Sequence, residues 1–337
     1  MKSPGGQRLR SQADCFAPSC KRIAAIDDLL DDDPGTETAL TPITPQTSSA
    51  EVARRALAAC VARLVRALAR VLVDEDAEWI HQARSAGRAL RANLAAFAPL
   101  LDREEAAQLD ARLRALGHSL GGVRDNDVLI EHIIVLAQRL PDVGESSLDG
   151  LVAQCRAARE YSYAKLTSEL QNDAYPQLLE DLVRAVCRDS PLIVYPQALS
   201  RETLVRSVIE RPWRRLERAV DSCGDDPTPA QLHAVRIKAK RCRYAVEAVA
   251  PLVRASRADT AQQFLRRLTR LQDTLGSFQD AVSESERLRA LTSSKLDRFV
   301  AGEVAELEAR VAAKALASWR KAWKRASRRE LRFWRSA

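Results

Sequence analysis

The sequence predicts an all-α protein made of two pseudo-symmetric helical bundles of the four-helix type. Three observations carry that reading. Alanine, leucine and arginine are abundant while only 12 glycines and 14 prolines interrupt 337 residues, so helix is favoured before any pattern is read. Apolar residues recur at alternating spacings of three and four, as on the seam of a buried bundle. An uncommon basic pattern also occurs twice. A histidine is followed by cations at the third, seventh and tenth positions, as His81, Arg84, Arg88, Arg91 and again as His233, Arg236, Lys240, Arg243.

At about 100° per residue these offsets fall within one stripe of a helix roughly 80° wide, so each copy aims three cations and an imidazole in one direction. Like charges three or four residues apart destabilise a helix by a few tenths of a kcal/mol per pair. One such stripe reads as a solvated face, whereas two at the same offsets point to a shared polyanion. Beyond each stripe comes a leucine-glycine pair and a carboxylate: Leu120-Gly121 with Asp125, and Leu275-Gly276 with Asp280. The chain therefore reads as a tandem repeat of a unit of about 150 residues.

Residues 1–48 lack apolar periodicity and read as a disordered or loosely docked arm, with Thr47, Ser48 or Ser49 capping the first helix. The first bundle is expected over 49–190. In it Leu57, Val61, Leu64, Leu68 and Val71 form the first seam, and Asp74 to Asp76 break and recap the chain. The first basic helix runs from about Ala77 to Leu100, with Ile80, Ala83, Leu90, Leu94 and Phe97 facing the core. A third helix is expected from Glu104 to Leu120, a break at Gly121-Gly122, and a fourth from Asp125 to Arg139. Pro141 to Gly150 reads as a loop, Leu151 to Leu170 and Ala174 to Cys187 as helices, and 189–196 as extended. The second bundle, 191–337, repeats the plan: a helix from Arg201 to Asp221, the second basic helix from about Ala230 to Leu252, a seam of Leu265, Leu268, Leu271 and Leu275, and a further helix opened by Asp280. Lys314 to Arg335 carries nine basic residues against one glutamate. Trp319 and Trp323 are expected to close the bundle there, and the residues from Arg328 onward to be mobile.

The net charge of +8 points to an acidic partner. No apolar run approaches the ~18 residues that a membrane span needs, and nothing at the start reads as a signal peptide. Seven scattered cysteines form no disulfide framework, which fits a cytoplasmic protein. Cys15 and Cys20 lack the further ligands a metal site requires, so no metal and no cofactor are expected.

Chemistry concentrates on the stripes. Arg84, Arg88, Arg91, Arg236, Lys240 and Arg243 can make charge-assisted hydrogen bonds to an anion, and His81 and His233 can each donate an N–H. Arg124 follows the first glycine pair. Tyr244, Lys238 and Arg241 are lesser candidates, the last two because they lie about 80 to 140° round the helix from His233. Asp125 reads either as a helix cap or, like Asp280, as a carboxylate that orients a stripe arginine. The sequence has no phosphate-binding glycine loop of the GxxxxGK[S/T] kind and no nucleophile flanked by a base, so catalysis is not expected.

The His-x-x-Arg-x-x-x-basic-x-x-Arg helices, the segment Leu120 to Val128, the run Arg243-Tyr244-Ala245-Val246-Glu247 and the segment Leu271 to Gly276 together resemble the CHAD domain, the conserved histidine α-helical domain. The resemblance covers roughly 50–335. Ala89, Cys242 and Gln279 depart from its pattern, which weakens a symmetric site but not an anionic one. No Glu-x-Glu-x-Lys strand of the triphosphate tunnel enzymes accompanies it. The resemblance implies basic helices lining a shared central cleft that binds inorganic polyphosphate, on polyphosphate granules in the cytoplasm. A nucleic-acid-binding module is the alternative, disfavoured because only 5% of the chain is aromatic; an enzyme acting on phosphoanhydrides is a more distant one.

Overall fold

In a computed structural model the chain is all-α, with residues 47–137, 145–187, 190–194, 200–291 and 295–335 described. The arm expected over 1–48, with Cys15 and Cys20, lies outside them except for Thr47 and Ser48.

Helix α1 (Ser49–Val71) starts where the Ser48 hydroxyl accepts from the Glu51 N–H at 3.1 Å, and Asp76 does the same for α2 (Ala77–Ala96) through the Glu78 N–H. Such caps satisfy N–H groups that have no partner within the helix. A 3-10 turn, Ala98–Leu100, leads into α3 (Arg103–Ala137), followed by α4 (Glu145–Leu170) and α5 (Ala174–Val186). The second half begins with α6 (Arg201–Asp221) and α7 (Pro229–Val249), the latter opened by a capping box in which Thr228 and Gln231 bond reciprocally. Another 3-10 turn, Ala250–Leu252, precedes α8 (Ala255–Leu291) and α9 (Lys295–Ala326). The order helix, helix, Ala-Pro-Leu turn, long helix, long helix thus occurs twice. The neighbours repeat with it: α1 on α2, α2 on α3 and α3 on α4 correspond to α6 on α7, α7 on α8 and α8 on α9.

Of the three seams read from the sequence, two are wholly interior; in the third Leu268, Leu271 and Leu275 are buried, while Leu265 is half-buried and Phe264 beside it points into the core. Leu57, Val61, Leu64, Leu68 and Val71 are buried, as are Ile80, Ala83, Leu90, Leu94 and Phe97. One continuous apolar core passes through both halves, which meet along α2 and α7 and again along α4 and α9. Among the described residues one antiparallel bridge, Leu101 to Ile193, ties the end of the first 3-10 turn to the extended segment after α5.

Four expectations are corrected. Gly121-Gly122 does not end a helix: α3 runs unbroken through it, so Asp125 and Asp127 sit in mid-helix and cap nothing. Asp280 likewise lies inside α8. In both cases the apolar rhythm continues across the glycine, with Leu116, Leu120 and Val123 buried on α3 and Leu271, Leu275 and Phe278 on α8, and that burial outweighs the ~1 kcal/mol a helical glycine costs. Residues 145–150, read as loop, form the start of α4. The segment 331–335, expected to be mobile, is packed through Leu331, Phe333 and Trp334. Phe333 and Trp334 are buried against Phe264 and Trp213, and Trp323 stacks on Trp213 with centroids 5.3 Å apart. Glu210 accepts from the Trp334 indole at 2.7 Å and pairs with Arg335 and Arg214. Burial acts to raise the Glu210 carboxyl, but these bonds outweigh it and hold it down to about 2.

Candidate functional site

The two stripes are brought together because α2 packs on α7. Each helix sinks one side into the core, Ile80, Ala83 and Leu90 on α2, and Leu232, Val235 and Ala239 on α7. The cations are left beside that seam, half-buried.

Arg84 and Arg236 occupy equivalent places. The Arg84 guanidinium crosses over Gly121 on α3, with Nη1 3.5 Å from the Gly117 carbonyl and Nη2 3.6 Å from Asp125 Oδ1. A Cβ at Gly121 would collide with Nη1, so the glycine is the gap through which the side chain passes. Arg236 crosses Gly276 on α8 and reaches Asp280 Oδ1 at 3.2 Å, but there an added Cβ would meet Nη2 at 3.4 Å, an ordinary contact.

Farther along, Arg91 pairs with Asp110 at 2.8 Å, and Asp110 also takes Arg114. Burial raises the Asp110 carboxyl, but the two arginines outweigh it and hold it below the usual range. Arg243 donates to Gln272 at 3.0 Å, pairs with Glu247 at 2.9 Å and lies over the Tyr244 ring at 4.7 Å. Burial lifts the Glu247 carboxyl above its ordinary value, against the pull of Arg243 and Arg63.

The middle of the cluster is different. Arg88 donates to Ser85 at 3.3 Å, and its buried Nε has no acceptor among the described residues; the buried Nε of Arg236 has none there either. Burial, and after it the charges of Arg84, Arg236 and Arg243, lower the proton affinity of Arg88. Lys240 makes no ion pair among the described residues. Burial, then repulsion from Arg236, Arg88 and Arg243 with Asp280 opposing, brings its ammonium down to about 8. Partial burial and crowding by other cations act in the same direction on a lysine, each disfavouring its charged form.

Among the sequence candidates, Arg84, Arg88, Arg91 and Asp125 line a cavity of about 300 Å³ between α2 and α3. Arg236 and Arg243 act electrostatically on Arg88, Tyr244 also bears on it, and Arg88 in turn acts on Lys240, so these belong to one cluster. His81 is half-buried and His233 exposed at the N-terminal ends of the stripes. Arg124 is turned along its own helix to Glu131 at 3.2 Å. Arg241 is not brought to the cluster; it lies with Lys238 and Arg215, toward α6. Two cavity residues were missed, Arg114 and His118, which project from α3. The unbroken apolar rhythm of α3 would have placed them. Asp127, beside Asp125 in the sequence, is buried and accepts from Arg159 of α4 at 2.6 Å, a packing role.

The CHAD domain family profile matches residues 55–289, a span that takes in both stripes, both glycine crossings and both carboxylates. The chain belongs to the CHAD domain family. Solved structures agree with that fold. PptA from Streptomyces chartreusis superposes with a TM-score of 0.65 at 18% identity, covering 82% of this chain and 100% of that one. The CHAD domain from the plant Ricinus communis gives 0.62 at 24% identity, covering 86% and 94%. A protein of Mycobacterium tuberculosis (strain CDC 1551 / Oshkosh), MT2285, is 28% identical over 252 residues, 69% of this chain but 45% of its own length, so the CHAD chain spans under half of that relative. Among the described residues no helix is long and apolar enough to cross a membrane, and no group of histidine, cysteine and carboxylate side chains is placed to hold a metal ion.

Proposed function

We propose that this CHAD protein binds inorganic polyphosphate at the cation cluster where α2 crosses α7, and holds it without cleaving it. The observation that carries the reading is the centre of that cluster. Among the described residues, Arg88 and Arg236 each keep a buried Nε without an acceptor, and Lys240 sits without an ion pair, depressed to about 8, beside them. Buried donors left unsatisfied cost the fold about 1–3 kcal/mol each. Phosphate oxygens would accept from the Nη groups and the Lys240 ammonium, and from the buried Nε atoms once those side chains turn toward the ligand; successive phosphates match cations repeated along two helices. The paired arginines, Arg84, Arg91, Arg236 and Arg243, are held in place by Asp125, Asp110, Asp280 and Glu247 and extend the track on either side. Tyr244, the aromatic ring nearest the cluster, lies under Arg243 rather than open to a base, which favours an inorganic chain over nucleic acid. Under this reading the two stripes line a shared basic cleft, and the protein works in the cytoplasm on polyphosphate granules.

One titration tests this. Long-chain polyphosphate, single-stranded RNA and ATP are bound across a salt series, and phosphate release is assayed with and without Mg²⁺. The expected result is preference for polyphosphate, with log affinity falling by roughly 0.7 per log unit of salt for each neutralised phosphate, and no release. RNA binding as tightly as polyphosphate overturns the ligand assignment; phosphate release overturns the non-catalytic role.

A further inference from the structure

The far side of α7 carries a second group of cations that the α2–α7 cluster does not use. Lys238 and Arg241 are turned about 100 to 160° round the helix from Arg236 and Lys240, toward α6, which packs against α7. There Arg241 acts on Arg215, and Arg215 on Lys238; Arg215 has Arg211 one turn away on its own helix α6. Arg211, Arg215 and Arg241 are exposed and Lys238 is half-buried. Among the described residues none of the four makes an ion pair, although arginines close by are paired, Arg214 with Glu210 and Arg332 with Glu217. The crowding is felt by the groups themselves. Arg211, then burial, then Arg241 and Arg218 lower the proton affinity of Arg215; burial, then Arg241 and Arg215 lower that of Lys238. Like charges on adjacent turns and adjacent helices destabilise the fold, and among the described residues no carboxylate offsets the crowding at Arg215 or Lys238.

We propose that Arg211, Arg215, Lys238 and Arg241 form a second anion-binding patch on the α6–α7 face, and that it takes a segment of inorganic phosphate chain. The face offers charge without stacking surface: Trp213, the aromatic residue of α6, is wholly buried, and Tyr244 of α7 lies with Arg243 in the other cluster. A ligand that stacks its bases finds no ring here, whereas phosphate needs none. With cations on both sides of α7, one molecule can hold two segments at once, either of one chain folded back or of two chains. The patch goes beyond the α2–α7 cluster and shares with the preceding reading only the class of ligand.

The test measures binding of long- and short-chain polyphosphate to the full chain and to two variants. R211Q/R215Q is expected to lower the slope of log affinity against log salt by about 1.4 for long chains, two cations at roughly 0.7 each, and to halve the stoichiometry of short chains. R211K/R215K, which keeps both charges, should bind as the wild type, so that a folding defect is not mistaken for lost binding. R88Q/K240Q tests the first cluster separately. If R211Q/R215Q leaves slope and stoichiometry unchanged while R88Q/K240Q loses binding, the patch is idle and the first-cluster reading stands. If R88Q/K240Q changes nothing and R211Q/R215Q loses binding, the patch stands and the earlier reading falls. If R211Q/R215Q weakens single-stranded RNA but not polyphosphate, the assignment of the patch to a phosphate chain is overturned.

Discussion

Arg84 and Arg236 make the same crossing in the two halves, over a glycine to a carboxylate four residues on, but through gaps of different width. At Gly121 a methyl group would strike the guanidinium, while at Gly276 it would rest against it. The ends of the stripes differ too. Arg91 is anchored to a carboxylate shared with Arg114, whereas Arg243 is anchored three ways, by Gln272, Glu247 and the face of Tyr244. Against both stands the middle, where Arg88 and Lys240 have no carboxylate partner among the described residues. The flanks are built for position and the centre for uncompensated charge, and the two parts should fail differently when altered.

The largest effect is expected at the centre. R88Q/K240Q removes two charge-assisted contacts worth about 1.5 kcal/mol or more each, so polyphosphate affinity at fixed salt should fall by over about a hundredfold. R91Q/R243Q, whose guanidinium groups already donate to the protein, should cost only about tenfold. Equal losses in the two titrations would remove the distinction between centre and flank.

The centre should also respond to pH. The Lys240 ammonium lies at about 8 in the folded chain against an ordinary 10.5, so it loses its proton as pH rises through 8. A polyanion favours the charged form. Binding above pH 8 should therefore take up a proton, and affinity should fall with rising pH by up to about tenfold per unit. Because the folded value lies below the unfolded one, the charged lysine costs the fold stability. That cost is present in full below pH 8 and is relieved between 8 and 10.5. Calorimetry in two buffers of different ionisation enthalpy measures the uptake. K240R, which stays charged throughout, should abolish it.

The two glycines sharpen the contrast between halves. In G121A the new methyl group evicts the tip of Arg84, a flexible side chain, so the loss should appear in polyphosphate affinity, about tenfold. It should be nearly invisible in the melting temperature. The helix gains about 0.8–1 kcal/mol from alanine, which offsets the loss of a partly exposed ion pair. G276A leaves Arg236 in place, and should keep full affinity while melting slightly higher.

The same glycines mark where reading the sequence stopped short. The seams of α1 and α2 and most of that of α8 were legible because local spacing decides them, and the cap of α1 was narrowed to Thr47, Ser48 or Ser49 because its chemistry is local as well; it is Ser48. Gly121-Gly122 reads as a break because glycine is a poor helix former, and an aspartate after it then looks like a cap. What contradicts this is Leu113, Leu116, Leu120 and Val123, whose spacing carries straight across the pair. The glycine serves a side chain from another helix, and only the packing of α2 on α3 discloses that. Likewise the stripes could be read as directed charge, but not which cations are compensated. Asp110, Gln272 and Glu210 find their partners across helices or, for Trp334, from the far end of the chain. The helix period already sets Arg241 about 100° from Lys240, but the α6 arginine that it acts on at that other face, Arg215, comes only from the packing of α6 on α7.

The smallest effect belongs to the carboxylates. Asp125 and Asp280 are each 56% exposed, so their pairs with Arg84 and Arg236 contribute well under about 1 kcal/mol to stability. Each also places a negative charge where phosphate is expected to lie. D125N/D280N keeps an oxygen that can accept from the guanidinium while removing that repulsion. Affinity at low salt should rise a few-fold and the gain should vanish as salt screens it. A fall in affinity that persists at high salt would mean that the charge of each aspartate fixes its arginine's fork more than it repels the ligand, and the flanks would then be tuned for position at the expense of attraction.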